Sequence, residues 1–140
     1  MSRIFWDSNL FIYLFEDNPK YVHKVEELRK RMLERRDQLL TSTLTIGEVL
    51  VKPTAMGDSA LCDHYQKILN SSALIIPFDQ DVARHYAQVR SKTSVKGPDA
   101  VQLACASAAG TDLFVTNDDH LKGKQVDGIQ FIVALDKVPI

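Results

Sequence analysis

The sequence predicts an α/β fold, a three-layer α/β/α sandwich around a central, mainly parallel sheet. Two observations carry that expectation. Short apolar runs of strand length alternate with longer segments in which apolar residues recur every three or four positions, the order that buries a parallel sheet between helices. The 140 residues, 45% hydrophobic and 25% charged, suffice for one domain with a substantial core, and no repeat or low-complexity linker divides them.

Arg3 to Trp6 reads as the first strand; the run breaks at Asp7-Ser8-Asn9, turns apolar again through a short helix ending near Phe15, and enters a loop at Asp17-Asn18-Pro19. From Tyr21 to Arg36, Val22, Val25, Leu28, Met32 and Leu33 mark one face of an amphipathic helix whose other face is Lys, Arg and Glu. Gln38 to Ser42 reads as the second strand, followed by a helix from Thr43 to Leu50 that is expected to stop before Pro53. A helix from Ser59 to Leu69 precedes the short strand Ala73 to Pro77.

Asp79 to Arg90 is a further amphipathic helix, with Val82, Tyr86 and Val89 apolar. Pro98 suits the first position of the next helix and Gly110 the position just past its end. Between them Val101, Leu103, Ala104, Cys105 and Ala108 make a mostly apolar segment that must be well buried. Leu113 to Thr116 and Gln130 to Ala134 are the last strands.

Composition excludes several classes of function. With a formal net charge of −1, no general polycationic surface exists to hold nucleic acid by counterion release, so any such contact must be local. Cys62 and Cys105 have neither CxxC spacing nor a nearby histidine pair and read as small buried hydrophobes in a reducing compartment. Asp7 and Asn9 interrupt the one N-terminal apolar stretch, and nothing approaches the roughly 20 apolar residues of a membrane span, so a cytoplasmic location is expected.

The acids recur in one kind of place. Asp7 ends the first strand, Glu48 lies in the helix after the second, Asp99 opens the buried helix and Asp118 follows the strand ending in Thr116. Each has an ordinary structural use. Asp7 suits a helix N-cap, Glu48 a Thr45-x-x-Glu48 capping box, Asp99 the positive end of its helix, and Asp118 a turn. In an open parallel sheet, however, the carboxyl ends of the strands emerge on one side, where ligands bind. Four carboxylates brought there repel one another, and a hard divalent cation relieves the repulsion. An all-oxygen set suits Mg²⁺ or Mn²⁺; zinc prefers His or Cys, and His23, His64, His85 and His120 have no ligand-pair spacing.

Taken in order, Asp7-Ser8-Asn9 after a strand, Thr45-Ile46-Gly47-Glu48-Val49-Leu50, Pro98-Asp99-Ala100-Val101-Gln102-Leu103-Ala104 and Val115-Thr116-Asn117-Asp118 resemble the acidic motifs of PIN domains over essentially the whole chain. Size and the lack of an appended domain are most similar to VapC-type toxins of toxin–antitoxin pairs. The resemblance implies an endoribonuclease dependent on Mg²⁺ or Mn²⁺, with Asp7, Glu48, Asp99 and Asp118 holding the metal. It also implies that Asn9 and Thr116 order the site through hydrogen bonds to the carboxylates or to bound water. After Asp118 the family often continues to an acid and a Phe, where this chain has Asp119-His120-Leu121, so Asp119 is an alternative fourth ligand.

Lys96, Lys122 and Lys124 flank two of the acidic segments, as phosphate contacts or as ordinary surface lysines. The resemblance further implies a homodimer and an antitoxin partner whose tail covers the cleft. The aromatic segments Phe11-Ile12-Tyr13 and Tyr21 suit an interface or the core equally. Phosphoryl-transfer folds also place Asp and Mg²⁺ at strand ends, but Asp7-Ser8-Asn9 lacks the Asp-x-Asp of haloacid-dehalogenase-like enzymes, and the adjacent acidic pair with which receiver domains typically begin is missing. A PIN-like module that binds RNA or protein without cutting is the remaining rival.

Overall fold

A computed structural model describes residues 1–140. Five strands alternate with six α-helices: β1 (Arg3–Trp6), α1 (Ser8–Phe15), α2 (Val22–Arg35), β2 (Gln38–Ser42), α3 (Thr43–Ala55), α4 (Ser59–Ser72), β3 (Leu74–Ile76), α5 (Gln80–Lys92), α6 (Gly97–Ala109), β4 (Thr111–Thr116) and β5 (Ile129–Ala134). The sheet runs β3-β2-β1-β4-β5 and every neighbouring pair is parallel. The chain thus builds outward from β1 in one direction, then returns to add β4 and β5 on the other side.

Strand alternation divides the apolar side chains between two cores. Ile4, Trp6, Leu39, Leu113 and Val115 face one side and pack with Leu10 and Phe11 of α1, Val25, Leu28 and Met32 of α2, Val49 of α3 and Leu69 of α4. Phe5, Leu40 and Phe114 face the other and pack with Val82 and Val89 of α5 and with Leu103, Ala104 and Cys105 of α6. Phe5 and Phe114, paired across β1 and β4, stack with ring centroids 5.1 Å apart. This is the expected three-layer sandwich, with four helices on one face and two on the other.

Asp58 and Asp79 cap α4 and α5 by accepting from the Leu61 and Val82 amides, at 3.0 Å each. Gly110 closes α6 at φ 72, a left-handed conformation that glycine adopts without a Cβ penalty. The sequence placed the end of α3 before Pro53, whereas the helix continues through it to Ala55. Proline costs a helix the one bond its N–H would make. Here the following turn closes without it, through Met56 N–H to the Lys52 carbonyl (3.1 Å) and Asp58 N–H to the Pro53 carbonyl (3.0 Å). Burial of the Pro53 ring also favours this arrangement. The Thr45–Glu48 capping box is not formed either: Ser42 is the N-cap of α3, which leaves Glu48 in the helix body.

Both cysteines are free, and burial pushes the Cys105 thiol up to about 12, so it behaves as an inert core residue. No helix is long and apolar enough to cross a membrane.

Candidate active site

The strand order reverses between β1 and β4, and a crevice opens beyond their carboxyl ends at such a switch point. Asp7 and Thr116 occupy that position. Asp7 follows β1, its amide continues the pairing by donating to the Val115 carbonyl (3.0 Å), and it is also the N-cap of α1. Both carboxylate oxygens are fixed, one by the Ser8 amide (2.8 Å) and the other by the Thr116 hydroxyl (2.8 Å). Capping and site geometry are therefore one arrangement. Asp7 is 6% exposed, and burial pushes its pKa up against these two hydrogen bonds, with the charges of Glu48 and Asp118 adding to the rise.

The other three acids converge on this carboxylate. Asp99 lies in the first turn of α6, and burial, a side-chain hydrogen bond with Asp118 and the charges of Asp118, Asp7 and Glu48 raise its pKa to about 6. Asp118 is held by its own turn: its amide donates to the Thr116 hydroxyl (3.0 Å) and its carboxylate accepts from the His120 amide (2.9 Å). Glu48 reaches back from α3 to accept from Ser8 Oγ at 2.6 Å. No trio of His, Cys, Asp or Glu side chains is drawn close enough to hold an ion as it stands.

Two residues nominated from sequence differ from the rest. Asn9 makes no hydrogen bond to a carboxylate; its Oδ1 is buried without a partner in the protein. Asp119 points away from the cluster into solvent, its side chain 95% exposed, and Lys122 is its nearest cation at 4.0 Å. Among the flanking lysines, Lys124 donates to Ser94 Oγ (3.0 Å), and Lys96 is an exposed residue at the start of α6. Phe11 belongs to the core at 3% exposure, while Tyr13 and Tyr21 stack with centroids 4.6 Å apart.

The residue that sequence reasoning overlooked is Gln102. It lies three positions after Asp99, one turn along the same face of α6, and is 1% exposed. Its Nε2 donates to Ser8 Oγ (2.9 Å) and Thr45 Oγ1 (2.8 Å), and its Oε1 accepts from Ser42 Oγ. Thr41 adds a bond to Thr45 Oγ1 (2.8 Å) and another to the Trp6 carbonyl (3.0 Å). A buried hydroxyl-and-amide network thus ties β1, β2, α1, α3 and α6 together beneath the carboxylates, and Ser8 passes its constraint to Glu48. A lone amide in an otherwise apolar run was the available signal.

The donor set is all oxygen, with no imidazole or thiolate, and the neighbouring carboxylates help to raise the proton affinity of Asp7 and Asp99. It fits a hard cation such as Mg²⁺ or Mn²⁺. Among solved structures, the chain is similar over 94% of its length to 97% of a chain in the VapBC2 complex of Rickettsia felis bound to a promoter DNA fragment (TM-score 0.69, 17% identity). It is similar over 96% to 99% of a chain in DNA-bound VapBC of Salmonella typhimurium (0.67, 20%). A toxin–antitoxin complex of Klebsiella pneumoniae matches 94% of this chain and 100% of its own (0.63, 23%). At these identities the likeness is one of fold. No curated protein matches the chain. The sequence model of the PIN domain matches residues 4–126, nearly the whole sandwich and all four acidic positions, and the chain belongs to the PIN domain family.

Proposed function

We propose that this protein is an endoribonuclease dependent on Mg²⁺ or Mn²⁺ that hydrolyses RNA phosphodiester bonds, and the toxin of a toxin–antitoxin pair. The observation that carries the nuclease reading is the convergence of Asp7, Glu48, Asp99 and Asp118 at the switch point, with the Asp99 pKa raised to about 6 by burial and by its acidic neighbours. These four hold the metal, and Asp118, whose side chain bears on the Asp99 pKa, is the fourth acid in preference to Asp119, whose side chain is 95% exposed. When bound, the ion supplies activation of water and charge neutralisation at the leaving oxygen.

The protein's own contribution is orientation. Thr116 and the Ser8 amide lock both Asp7 oxygens, Ser8 Oγ aims Glu48, and the partnerless Asn9 Oδ1 is an acceptor available to ordered water. The toxin reading rests on the VapBC and toxin–antitoxin complexes that share this fold. It carries with it an antitoxin covering the cleft, a homodimer and a cytoplasmic location.

Asn caps a helix about as well as Asp, so Asp7→Asn keeps the structural role and removes a charged ligand. Purified parent protein is expected to cleave single-stranded RNA when Mg²⁺ or Mn²⁺ is supplied, and Asp7→Asn to lose that cleavage while remaining folded. Cleavage by the variant at the parental rate would refute Asp7 as a metal ligand. A parent that binds RNA but never cuts it would favour the non-catalytic binding module.

A further inference from the structure

Beside the acidic cluster lies a second feature of opposite sign, a cleft of about 420 Å³ between the start of α2 and the segments that follow β4 and β5. Lys20, Lys24, Lys122 and Lys137 line it, against two carboxylates, Asp119 and Asp136. Lys122 has Asp119 within 4.0 Å, whereas Lys20, Lys24 and Lys137 take part in no ion pair. In a chain of net charge −1, this leaves a local excess of two positive charges (four lysines less two acids) in a concave place.

The cleft joins the candidate active site through one residue. Asn117, on its wall, stands in sequence between Thr116, which fixes Asp7, and Asp118, which pairs with Asp99. The Asn117 amide donates to Tyr13 Oη (3.0 Å), and Tyr13 stacks on Tyr21, whose ring has Lys20 Nζ 5.2 Å from its centroid. Tyr21 is thus engaged by a ring and by an ammonium, which disfavours a stacked base there. Phosphate is the ligand chemistry the exposed ammonium groups suit.

We infer that this lysine cleft binds the backbone phosphates of the RNA strand flanking the scissile bond. The inference deepens the nuclease reading and rests on it for the identity of the strand. The acidic cluster by itself repels a polyanion, so positive charge next to it has to hold the strand in register. Three lysines free of ion pairs, two at the start of α2 and one after β5, supply that charge around one hollow without base contacts, so the grip is indifferent to sequence. Asp119 belongs to this feature, where it tempers Lys122.

The test is binding of a fluorescein-labelled, mixed-sequence single-stranded RNA 20-mer to the full chain in EDTA, followed by anisotropy across a salt series. The triple variant Lys20→Gln/Lys24→Gln/Lys137→Gln is compared with Lys67→Gln/Arg84→Gln/Lys92→Gln, which removes the same charge from α4 and α5. Without the three cleft ammonium groups to neutralise phosphates, the log–log salt slope should shrink by about 2, and affinity at low salt should fall by at least roughly tenfold, while the control stays near parent. Equal weakening in both variants, no weakening in the cleft variant, or no RNA binding by the parent overturns the inference. Binding of a poly-glutamate peptide that the cleft variant abolishes, with RNA binding unchanged, would assign the cleft to an acidic protein partner and overturn it too. Because EDTA removes the metal, cleft-dependent binding without cleavage in a parallel Mg²⁺ or Mn²⁺ assay would defeat the nuclease reading alone.

Discussion

Asp99→Asn should make the metal-free protein more stable at neutral pH. Burial and its acidic neighbours raise the Asp99 pKa from 3.8 to about 6, so between those values the folded state binds more protons than the unfolded state. Stability contributed by such a carboxyl is present at low pH and is lost as pH rises through the window. The full shift corresponds to about 3 kcal/mol. Asp99 is only half-buried, so solvent screening reduces this to roughly 1.5 kcal/mol.

Asn at this position also loses the attraction of a carboxylate for the start of α6, about 0.5 kcal/mol. The difference leaves Asp99→Asn ahead by about 1 kcal/mol at pH 7.5, with the two proteins nearly equal at about pH 3.5, below both the unfolded and the folded pKa values. Urea unfolding in EDTA at both pH values measures this directly. Parallel pH profiles for parent and variant, or a variant less stable at pH 7.5, would refute the electrostatic account of the cluster. Adding Mn²⁺ at pH 7.5 should stabilise the parent more than the variant. Failure of that step alone, with the pH result intact, would count against metal binding and leave the electrostatics standing.

Gln102→Leu keeps comparable bulk but strands Ser42 and removes the donor to Ser8 and Thr45, all buried; a loss of about 2–4 kcal/mol in urea unfolding is expected, and a loss under about 1 kcal/mol would show that the network is dispensable. Gly128 has φ +89, and a Cβ there would come within 2.5 Å of the Ser107 carbonyl oxygen, whereas Gly123 at φ +74 has nothing within 4 Å. Gly123→Ala should therefore cost about 1–2 kcal/mol for the left-handed backbone alone, and Gly128→Ala clearly more. Equal melting temperatures for the two variants would refute the close approach.

What the sequence reveals and what it hides divide along contact range. Asp7, Thr116 and Asp118 could be nominated because each lies at or just after the end of a strand, where a parallel sheet already fixes a side of the molecule, and Glu48 because it lies in the helix that follows β2; Asp99 was nominated from the start of α6, which α5 separates from β3. The end of α3 was misjudged for the complementary reason: proline is a strong local signal, and it was overruled by bonds that close the next turn and by burial of its ring. Gln102 escaped because its partners Ser8, Thr45 and Ser42 lie 94, 57 and 60 residues away in sequence, so nothing near it announces the network. The lysine cleft is equally nonlocal, since Lys20 and Lys24 meet Lys122 and Lys137 only after β4 and β5 have been laid beside β1. Lys124, adjacent in sequence to this group, is instead tied to Ser94. Strand-end position therefore nominates which acids can meet, while their aim and the charge around them depend on side chains delivered by other elements. Ser8 shows the coupling in one residue: its amide fixes Asp7, its hydroxyl fixes Glu48, and that hydroxyl is held by Gln102 from across the sheet.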